Sequence, residues 1–409
     1  MNTIKETEMD TTNKKEIIIK KAEGTSDYKK LCQSFEKLNI IPLLSGNLNI
    51  NNFFKLNTTL TTTEQLDKKH VQLMKLLRDL RVKMKYISSG STGHFFKCAM
   101  LNNNNSSLMK DNIYCKFALK MIPYLKRSEY KSIYEISRPE NTELNMLKAL
   151  SYFVLTKQTN HIILPIQSFY SSITDFVKMI TGGKINDPKK RYETFMKNYE
   201  NGRYENVVSV IIMELANCFD LLTFIKEYHL NLKLIDWKIF FFQLLSVLAI
   251  IQSKFSSFRH NDLKANNILV HAENIPHKRK YIINNNIYNL PKTTYVLKLC
   301  DFDFACIPGY VNNIKVTEKW THDMNITVKE NKYYDIHYFF NTLIHNGFFP
   351  QIMNPKFTSI EIIEFINRVV PLKYRKEPFV NKKGRLIKDI QYLTPLHILE
   401  NDEFFAEFR

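Results

Sequence analysis

One short segment of the sequence, His260–Leu269, holds three polar side chains whose types and spacing could catalyse a group transfer. The carboxylate of Asp262 could accept a proton from a substrate hydroxyl. The amine of Lys264, two residues later, could neutralise negative charge on a transferring phosphoryl group. The amide oxygen of Asn267, five residues after the carboxylate, could reach a metal ion. These residue types make the segment a candidate catalytic loop, with Asp262 as the candidate base.

A lysine and a glutamate upstream could complete such a site. Lys120 ends the apolar strand-like stretch that begins at Phe117, and a lysine inside a strand needs a partner if it is buried. Phosphate groups and a carboxylate would supply that partner. Glu143 is the candidate carboxylate, on a helical stretch with an apolar stripe. An ordinary strand end and an ordinary surface glutamate are the simpler explanations for either residue taken alone.

Two glycines lie between strand-like stretches, in Gly90-Ser-Thr-Gly93. Such a pair can form a hairpin whose backbone approaches phosphate groups closely. A plain turn is the more common structure for a pair of this kind, so the motif is weak evidence by itself.

Two longer segments resemble motifs of one enzyme superfamily. His260-Asn-Asp262-Leu-Lys264-Ala-Asn-Asn267 resembles the catalytic loop H-R-D-L-x-x-x-N of protein kinases, and Cys300-Asp301-Phe302-Asp303 resembles the D-F-G segment that follows it. The chain therefore resembles the eukaryotic-type protein kinases from about Lys83 onward, roughly four fifths of its length. The resemblance implies an α+β, bilobal protein-kinase fold with a β-rich N-lobe, a helical C-lobe and ATP in the cleft between them.

The resemblance also implies roles for individual residues. Asp262, Lys264, Lys120 and Glu143 would be catalytic, while Asn267 and Asp301 would bind Mg²⁺, with Mn²⁺ as an alternative. Met213 would be the gatekeeper, Glu214 and Leu215 would offer backbone groups to adenine, and Asp220 would contact the ribose. The full predicted set of nucleotide-binding residues is Ser88, Gly90, Gly93, Ala118, Lys120, Met213, Glu214, Leu215, Asp220 and Leu269.

Several positions depart from the kinase pattern. Ser88 and Asn261 replace a glycine and the arginine of H-R-D, so control through a phosphate bound by that arginine is not expected. Asp303 replaces the glycine of D-F-G, and a side chain there should restrict the backbone. Replacement of Asp303 by glycine is expected to leave folding intact unless its carboxylate has a structural partner. No A-P-E motif follows Asp301.

These departures resemble a narrower group, the virion-associated serine/threonine kinases of large cytoplasmic DNA viruses, of the poxvirus morphogenesis kinase type. That resemblance implies phosphorylation of viral structural or membrane proteins during virion assembly, in the host cytoplasm and the virion. The main alternative is a pseudokinase, a scaffold that binds nucleotide without transferring phosphate. A small-molecule or lipid kinase is a further alternative. The sequence Asp262-Leu-Lys264 favours serine or threonine as acceptor, and tyrosine stays open.

The formal net charge of +18 indicates acidic partners, such as acidic proteins or an anionic membrane surface. A basic run near the C-terminus could bind such a partner, although a solvated surface is the simpler explanation. No aromatic stacking array accompanies it, so nucleic acid is not expected. The run comprises Lys373, Arg375, Lys376, Lys382, Lys383, Arg385 and Lys388.

Six cysteines without a C-x-x-C pair indicate free thiols in a reducing compartment, and no signal peptide is recognisable. These features predict a soluble, cytoplasmic protein. The apolar run Ile239–Ile251 predicts a buried helix too short to span a bilayer. The oligomeric state is not indicated.

Three segments organise the chain. Residues 1–82 form an N-terminal extension, in which 1–24 are expected to be disordered. A capping box at Thr61 and Glu64 should open a helix over about 62–82. The N-lobe is predicted at 83–214, with an inserted surface loop at about 178–206, and the C-lobe at 215–409, with a polar insert at about 271–293.

Overall fold

The computed structural model describes residues 26–37, 70–90, 92–102, 113–130, 132–181 and 190–409. In these ranges an antiparallel sheet region is followed by a mostly helical region, which together form a bilobal α+β fold. The strands are β1 Val82–Ser89, β2 His94–Leu101, β3 Ile113–Leu125, β4 Pro165–Ser172, β5 Tyr204–Glu214, β6 Ile268–Ile283 and β7 Asn286–Leu299. The helices are α1 Ser26–Lys37, α2 Leu73–Asp79, α3 Pro139–Leu155, α4 Ile173–Thr181, α5 Arg191–Glu200, α6 Leu221–Tyr228, α7 Leu234–Lys254, α8 Lys319–His322, α9 Tyr334–Leu343, α10 Ile360–Val369 and α11 Pro395–Asn401.

The first five strands form one sheet in the order β1-β2-β3-β5-β4, with every neighbouring pair antiparallel. Along β2, buried residues alternate with more exposed ones, as expected for a strand that packs one face on the core. The inner strands β3 and β5 carry nearly continuous apolar runs and are buried over most of their length. This buried centre of the sheet carries Lys120.

Helix α3 packs beside the sheet and brings Glu143 toward β3. Pro139 opens the helix at a position where the missing backbone N–H costs nothing. Most of the helix is buried, including Leu144, Met146 and Leu147. The apolar face expected around Glu143 is therefore inside the lobe.

The described part of the N-terminal extension docks on the sheet. In α1, the Asp27 carboxylate accepts a hydrogen bond from the Lys116 backbone N–H at 2.9 Å, and Lys30 donates to the Tyr114 carbonyl at 3.1 Å. Leu31 of the same helix is fully buried. Residues 1–24 and the predicted helix start at Thr61 and Glu64 lie outside the described residues, while α2 falls within the predicted helical range.

The described residues of the inserted segment at about 178–206 do not form the surface loop that the sequence predicts. They form the end of α4, the whole of α5 and the start of β5. Phe195 of α5 is buried, with its ring centroid 5.2 Å from that of Phe176 and 4.8 Å from that of His94. Phe195 is the buried residue of α5, and the charged residues around it in the sequence hide the helical period.

Helix α7 forms the centre of the helical region. Its 21 residues would be long and apolar enough to cross a membrane, which corrects the length predicted from Ile239–Ile251. However, 78% of its most apolar 18-residue stretch is buried inside the protein. The prediction of a buried helix is confirmed, because Phe241 and its neighbours pack against the surrounding helices.

The predicted insert at 271–293 lies within a long hairpin made by β6 and β7. Asn284 and Asn285 connect the strands with positive φ angles of 48° and 64°. Positive φ at both central residues is typical of a type I′ turn, a conformation that asparagine tolerates. The hairpin joins the end of the catalytic loop to Asp301.

Candidate active site

The catalytic loop is held from below by a buried carboxylate in the first turn of α9. Asp335 accepts hydrogen bonds from the backbone N–H groups of His260 at 2.8 Å and Asn261 at 2.9 Å. Burial raises the pKa of Asp335, and these bonds and nearby Arg259 oppose that rise. The Asn261 side chain donates to the Phe304 carbonyl at 3.0 Å, so this residue ties the loop to the segment after Asp301.

Asp262 is enclosed by polar partners on both carboxylate oxygens. Lys264 Nζ lies 2.6 Å from Oδ2, and the Asn267 amide donates to the same oxygen at 3.1 Å. Arg385 Nη2 lies 2.7 Å from Oδ1. Burial alone would raise the pKa of Asp262, but Lys264 and Arg385 outweigh burial and lower it. The predicted base is therefore ionised at neutral pH.

Lys120 and Glu143 form the buried pair that the sequence predicts. Lys120 Nζ lies 2.5 Å from Glu143 Oε2 and 3.3 Å from Asp301 Oδ1. The lysine is 1% exposed. Burial lowers the pKa of Lys120, but the carboxylates of Glu143 and Asp301 outweigh this and keep it above the ordinary value. The amine is charged and points at the residue predicted to bind metal.

The two predicted metal ligands lie on adjoining backbone. The Cys300 N–H donates to the Asn267 carbonyl at 3.1 Å, directly before Asp301. Asp301 has a positive φ of 61°, and its side chain is 36% exposed. Asn267 donates its amide N–H groups to Asp262, so its amide oxygen remains available as an acceptor. A carboxylate and an amide oxygen fit Mg²⁺, which prefers hard oxygen ligands.

Phe302, the next residue, is fully buried and packs on His260, with the ring centroids 5.1 Å apart. This contact fixes the start of the segment beneath the catalytic loop.

The glycine turn between β1 and β2 closes with a hydrogen bond from the Gly90 N–H to the Gly93 carbonyl at 2.7 Å. Ser88 lies exposed at the end of β1, just before this turn. A Cβ atom on Gly93 would lie 3.0 Å from both Lys120 Cε and the Met121 carbonyl oxygen. The turn therefore approaches Lys120 as closely as a glycine permits.

Substitution of Gly93 by alanine is expected to raise the KM for ATP about tenfold, because the added methyl group displaces Lys120. Steady-state kinetics with varied ATP measures the change. Gly90→Ala is the matched control, since its Cβ would have no neighbour closer than 3.6 Å. Equal KM changes in the two variants would contradict the steric argument.

The remaining predicted nucleotide-binding residues lie around the junction of the two lobes. Ala118 on β3 pairs in register with Met213 on β5, and Met213 is buried. Leu215 is half-buried, and so is Leu269, which forms a backbone bridge with Asp220. The structure thus places Ala118 beside Met213 on the sheet and Asp220 beside Leu269 at the start of β6.

Two of these residues carry additional contacts that the sequence did not indicate. The Glu214 side chain turns inward and pairs with Lys298 at 2.9 Å, so only its backbone could serve adenine. Asp220 caps α6 by accepting from the Thr223 N–H at 3.0 Å and its hydroxyl at 2.7 Å. A ribose contact by Asp220 would thus share a carboxylate already used for capping.

Asp303 has the structural partner that would make its replacement costly. Its carboxylate pairs with Lys315, and both side chains are at least nine-tenths buried. The Asn313 amide donates to the Asp303 carbonyl at 3.0 Å. Together these bonds hold the segment after Asp301 against Asn313 and Lys315.

Asp303→Gly is therefore expected to lower the free energy of unfolding by about 3 kcal/mol, because Lys315 would remain buried without its partner. This reverses the tolerance expected from the sequence. Denaturant unfolding measures the loss, and the double variant Asp303→Gly, Lys315→Met should recover part of it. A single variant as stable as the native chain would show that the pair contributes nothing.

One residue beside Asp262 was missed. Arg385 belongs to the basic run predicted to be solvated surface, but it is only 7% exposed and contacts the predicted base. That prediction is wrong for Arg385, which is unavailable to an acidic partner because it is buried. The glycine directly before it, Gly384, was the signal that could have set this position apart from the surface lysines.

Comparison with known proteins finds chains similar to this one among viral kinases. A model of the poxvirus serine/threonine protein kinase family matches residues 80–407. A protein of Acanthamoeba polyphaga mimivirus described as serine/threonine-protein kinase R400 is 39% identical over 361 residues, covering 86% of this chain and 75% of the relative. A second mimivirus protein, described as serine/threonine-protein kinase R301, is 25% identical over 72% of this chain and 81% of its own length. Serine/threonine-protein kinase 2 of vaccinia virus is 33% identical over 115 residues, 27% of this chain and 22% of the relative.

Proposed function

Because this chain belongs to the poxvirus serine/threonine protein kinase family, we propose that it transfers the γ-phosphate of ATP to serine or threonine side chains of viral structural or membrane proteins during virion assembly. The observation that carries the catalytic part is one constellation around the cleft. It consists of Lys120, Glu143, Asp262, Lys264, Asn267 and Asp301.

In this mechanism Asp262 orients the acceptor hydroxyl and takes its proton. Its ionised state and its burial suit a group that must accept a proton in a water-poor site. Lys264, which is bonded to Asp262 and partly exposed, stabilises negative charge on the transferring phosphoryl group. Lys120, held by Glu143, binds the α- and β-phosphates of ATP, and the turn at Gly90 and Gly93 covers them.

A divalent metal ion belongs to this chemistry, and Asp301 and Asn267 are the residues that would hold it. Mg²⁺, or Mn²⁺ in its place, would neutralise charge on the phosphate oxygens when bound. The carboxylate of Asp301 and the amide oxygen of Asn267 suit both ions. The proposed nucleotide lies between the lobes 83–214 and 215–409, against Ala118, Met213 and Leu269.

The acceptors and the place of action are proposed from the relatives and from charge. The relatives named above are viral kinases, which supports viral proteins as substrates and the host cytoplasm and virion as the location. The net charge of +18 supports acidic proteins or an anionic membrane surface as partners. These relatives give no support to a scaffold without transfer activity. A site that had lost catalysis would also have no reason to retain all six residues of the constellation.

The experiment is transfer of labelled γ-phosphate from ATP by the purified chain, with Mg²⁺ and with Mn²⁺, to a generic acidic protein and to proteins of assembling virions. Phosphoamino-acid analysis should find label on serine or threonine. ATP binding without transfer to any protein would contradict the proposal and favour the scaffold. Label confined to a lipid or small molecule would change the substrate class.

A further inference from the structure

A buried arginine from the C-terminal part of the chain holds the Asp262 carboxylate on its inner side. Arg385 Nη2 donates to Asp262 Oδ1 at 2.7 Å, and Nη1 donates to the Asn261 carbonyl and to the Tyr334 hydroxyl, the latter at 3.0 Å. The guanidinium lies 3.9 Å from the ring centroid of Tyr338. Its bonds thus reach both the backbone before Asp262 and the side chain of Asp262 itself.

The turn that carries Arg385 packs closely against Asn341 and His345. Asn381 Oδ1 accepts hydrogen bonds from the Lys383 N–H at 3.0 Å and the Arg385 N–H at 3.1 Å. Gly384 has a φ of +76°, and a Cβ on it would lie 2.7 Å from the His345 ring. The Asn341 amide donates to the Gly384 carbonyl at 2.7 Å. A side chain at position 384 would therefore push the turn, and Arg385 with it, away from α9.

The two oxygens of Asp262 have different environments. Oδ1 faces Arg385, whose side chain is 8% exposed. Oδ2 accepts a hydrogen bond from the Asn267 amide at 3.1 Å and faces Lys264, whose side chain is 26% exposed. A buried arginine keeps its partner because separation would leave an uncompensated charge. A partly exposed lysine can exchange its partner for another anion at little cost. When Lys264 turns to another anion, the lone pair of Oδ2 that faced it becomes available to a substrate hydroxyl, while the Asn267 amide keeps its bond to the same oxygen.

We infer that Arg385 is a positioning residue, which fixes the rotation of the Asp262 carboxylate so that Oδ2 meets the substrate hydroxyl. Arg385 acts through Asp262 and does not itself touch the substrate. The inference rests on the role of Asp262 in the proposed function. It adds a contact that joins residues 123 positions apart in the sequence.

The test compares Arg385→Gln, Arg385→Lys and Arg375→Gln in single-turnover and steady-state transfer assays. Arg385→Gln is expected to lower kcat about 10- to 100-fold, the effect of one hydrogen bond to a charged group, with an unchanged KM for ATP. Arg385→Lys keeps the charge but loses the planar guanidinium group, so its kcat should lie between those of Arg385→Gln and the native chain. Arg375→Gln is the matched control, since Arg375 bonds the Val370 carbonyl and Asn367 instead.

A double-mutant cycle separates positioning from structural support. In an Asp262→Asn background, Arg385→Gln should change single-turnover transfer by no more than about twofold, because the charged partner has gone. Equal losses in both backgrounds, or an unchanged kcat of Arg385→Gln, would overturn the inference. If Arg385→Gln does not fold, Arg385→Lys takes its place in the cycle. Absence of transfer by the native chain would instead contradict the proposed function.

Discussion

Asp262→Asn is expected to lower kcat by about 10²- to 10⁴-fold while the affinity for ATP stays within about twofold. Asparagine has the shape of aspartate, so the loop should keep its backbone bonds to Asp335. What disappears is the negative charge that attracts Lys264 and Arg385 and accepts the hydroxyl proton. Because Lys120 and Glu143 are untouched, the phosphate-binding part of the site remains.

Single-turnover transfer and nucleotide-binding titration, made on the same preparation, measure the two quantities. The melting temperature of the variant is the control for folding. Turnover equal to that of the native chain would remove Asp262 from the role of base. A parallel loss of ATP binding would mean that the neutral side chain disturbs the cleft as a whole.

Asp301→Ala is expected to abolish measurable transfer, a loss of at least about 10³-fold, because the metal contributes several kcal/mol to transition-state stabilisation. The Asp301 side chain is 36% exposed and lies 3.3 Å from the buried Lys120, which has a second carboxylate partner. Lys120 keeps its 2.5 Å contact with Glu143. The fold should therefore persist while metal-dependent nucleotide binding weakens.

The measurement is ATP binding with and without Mg²⁺. The native chain should bind ATP more tightly with the metal, and the variant should lose most of that difference. Asn267→Ala, which removes the amide oxygen predicted to be the second ligand, is the comparison for that position. Full metal dependence in Asp301→Ala would show that other residues hold the ion.

Local spacing made most of the candidate site predictable. Asp262, Lys264 and Asn267 occupy one loop, so their proximity follows from sequence distance alone. Lys120 and Glu143 could be paired because a lysine inside an apolar strand needs a carboxylate, and Glu143 lies on a helical stretch with an apolar stripe. The structure brings them within 2.5 Å, while the roles of these residues stay predictions that the variants above test.

The contacts that were missed depend on distances that no local pattern encodes. Arg385 contacts Asp262 from 123 positions away in the sequence. The lysines around Arg385 give no indication in the sequence that this residue is buried. The pair of Asp303 and Lys315 spans 12 positions of irregular chain without a period. In the inserted segment, one buried phenylalanine, Phe195, defines a helix face that its charged neighbours conceal.

The buried pair of Asp303 and Lys315 has a consequence for inhibitor selectivity. We expect that a compound which displaces Phe302 from His260 also disrupts the buried ion pair between Asp303 and Lys315. The free energy needed to break that pair would weaken the binding of the compound. A compound that fills the closed cleft carries no such penalty. Chemical libraries directed at this enzyme should therefore enrich for the second class.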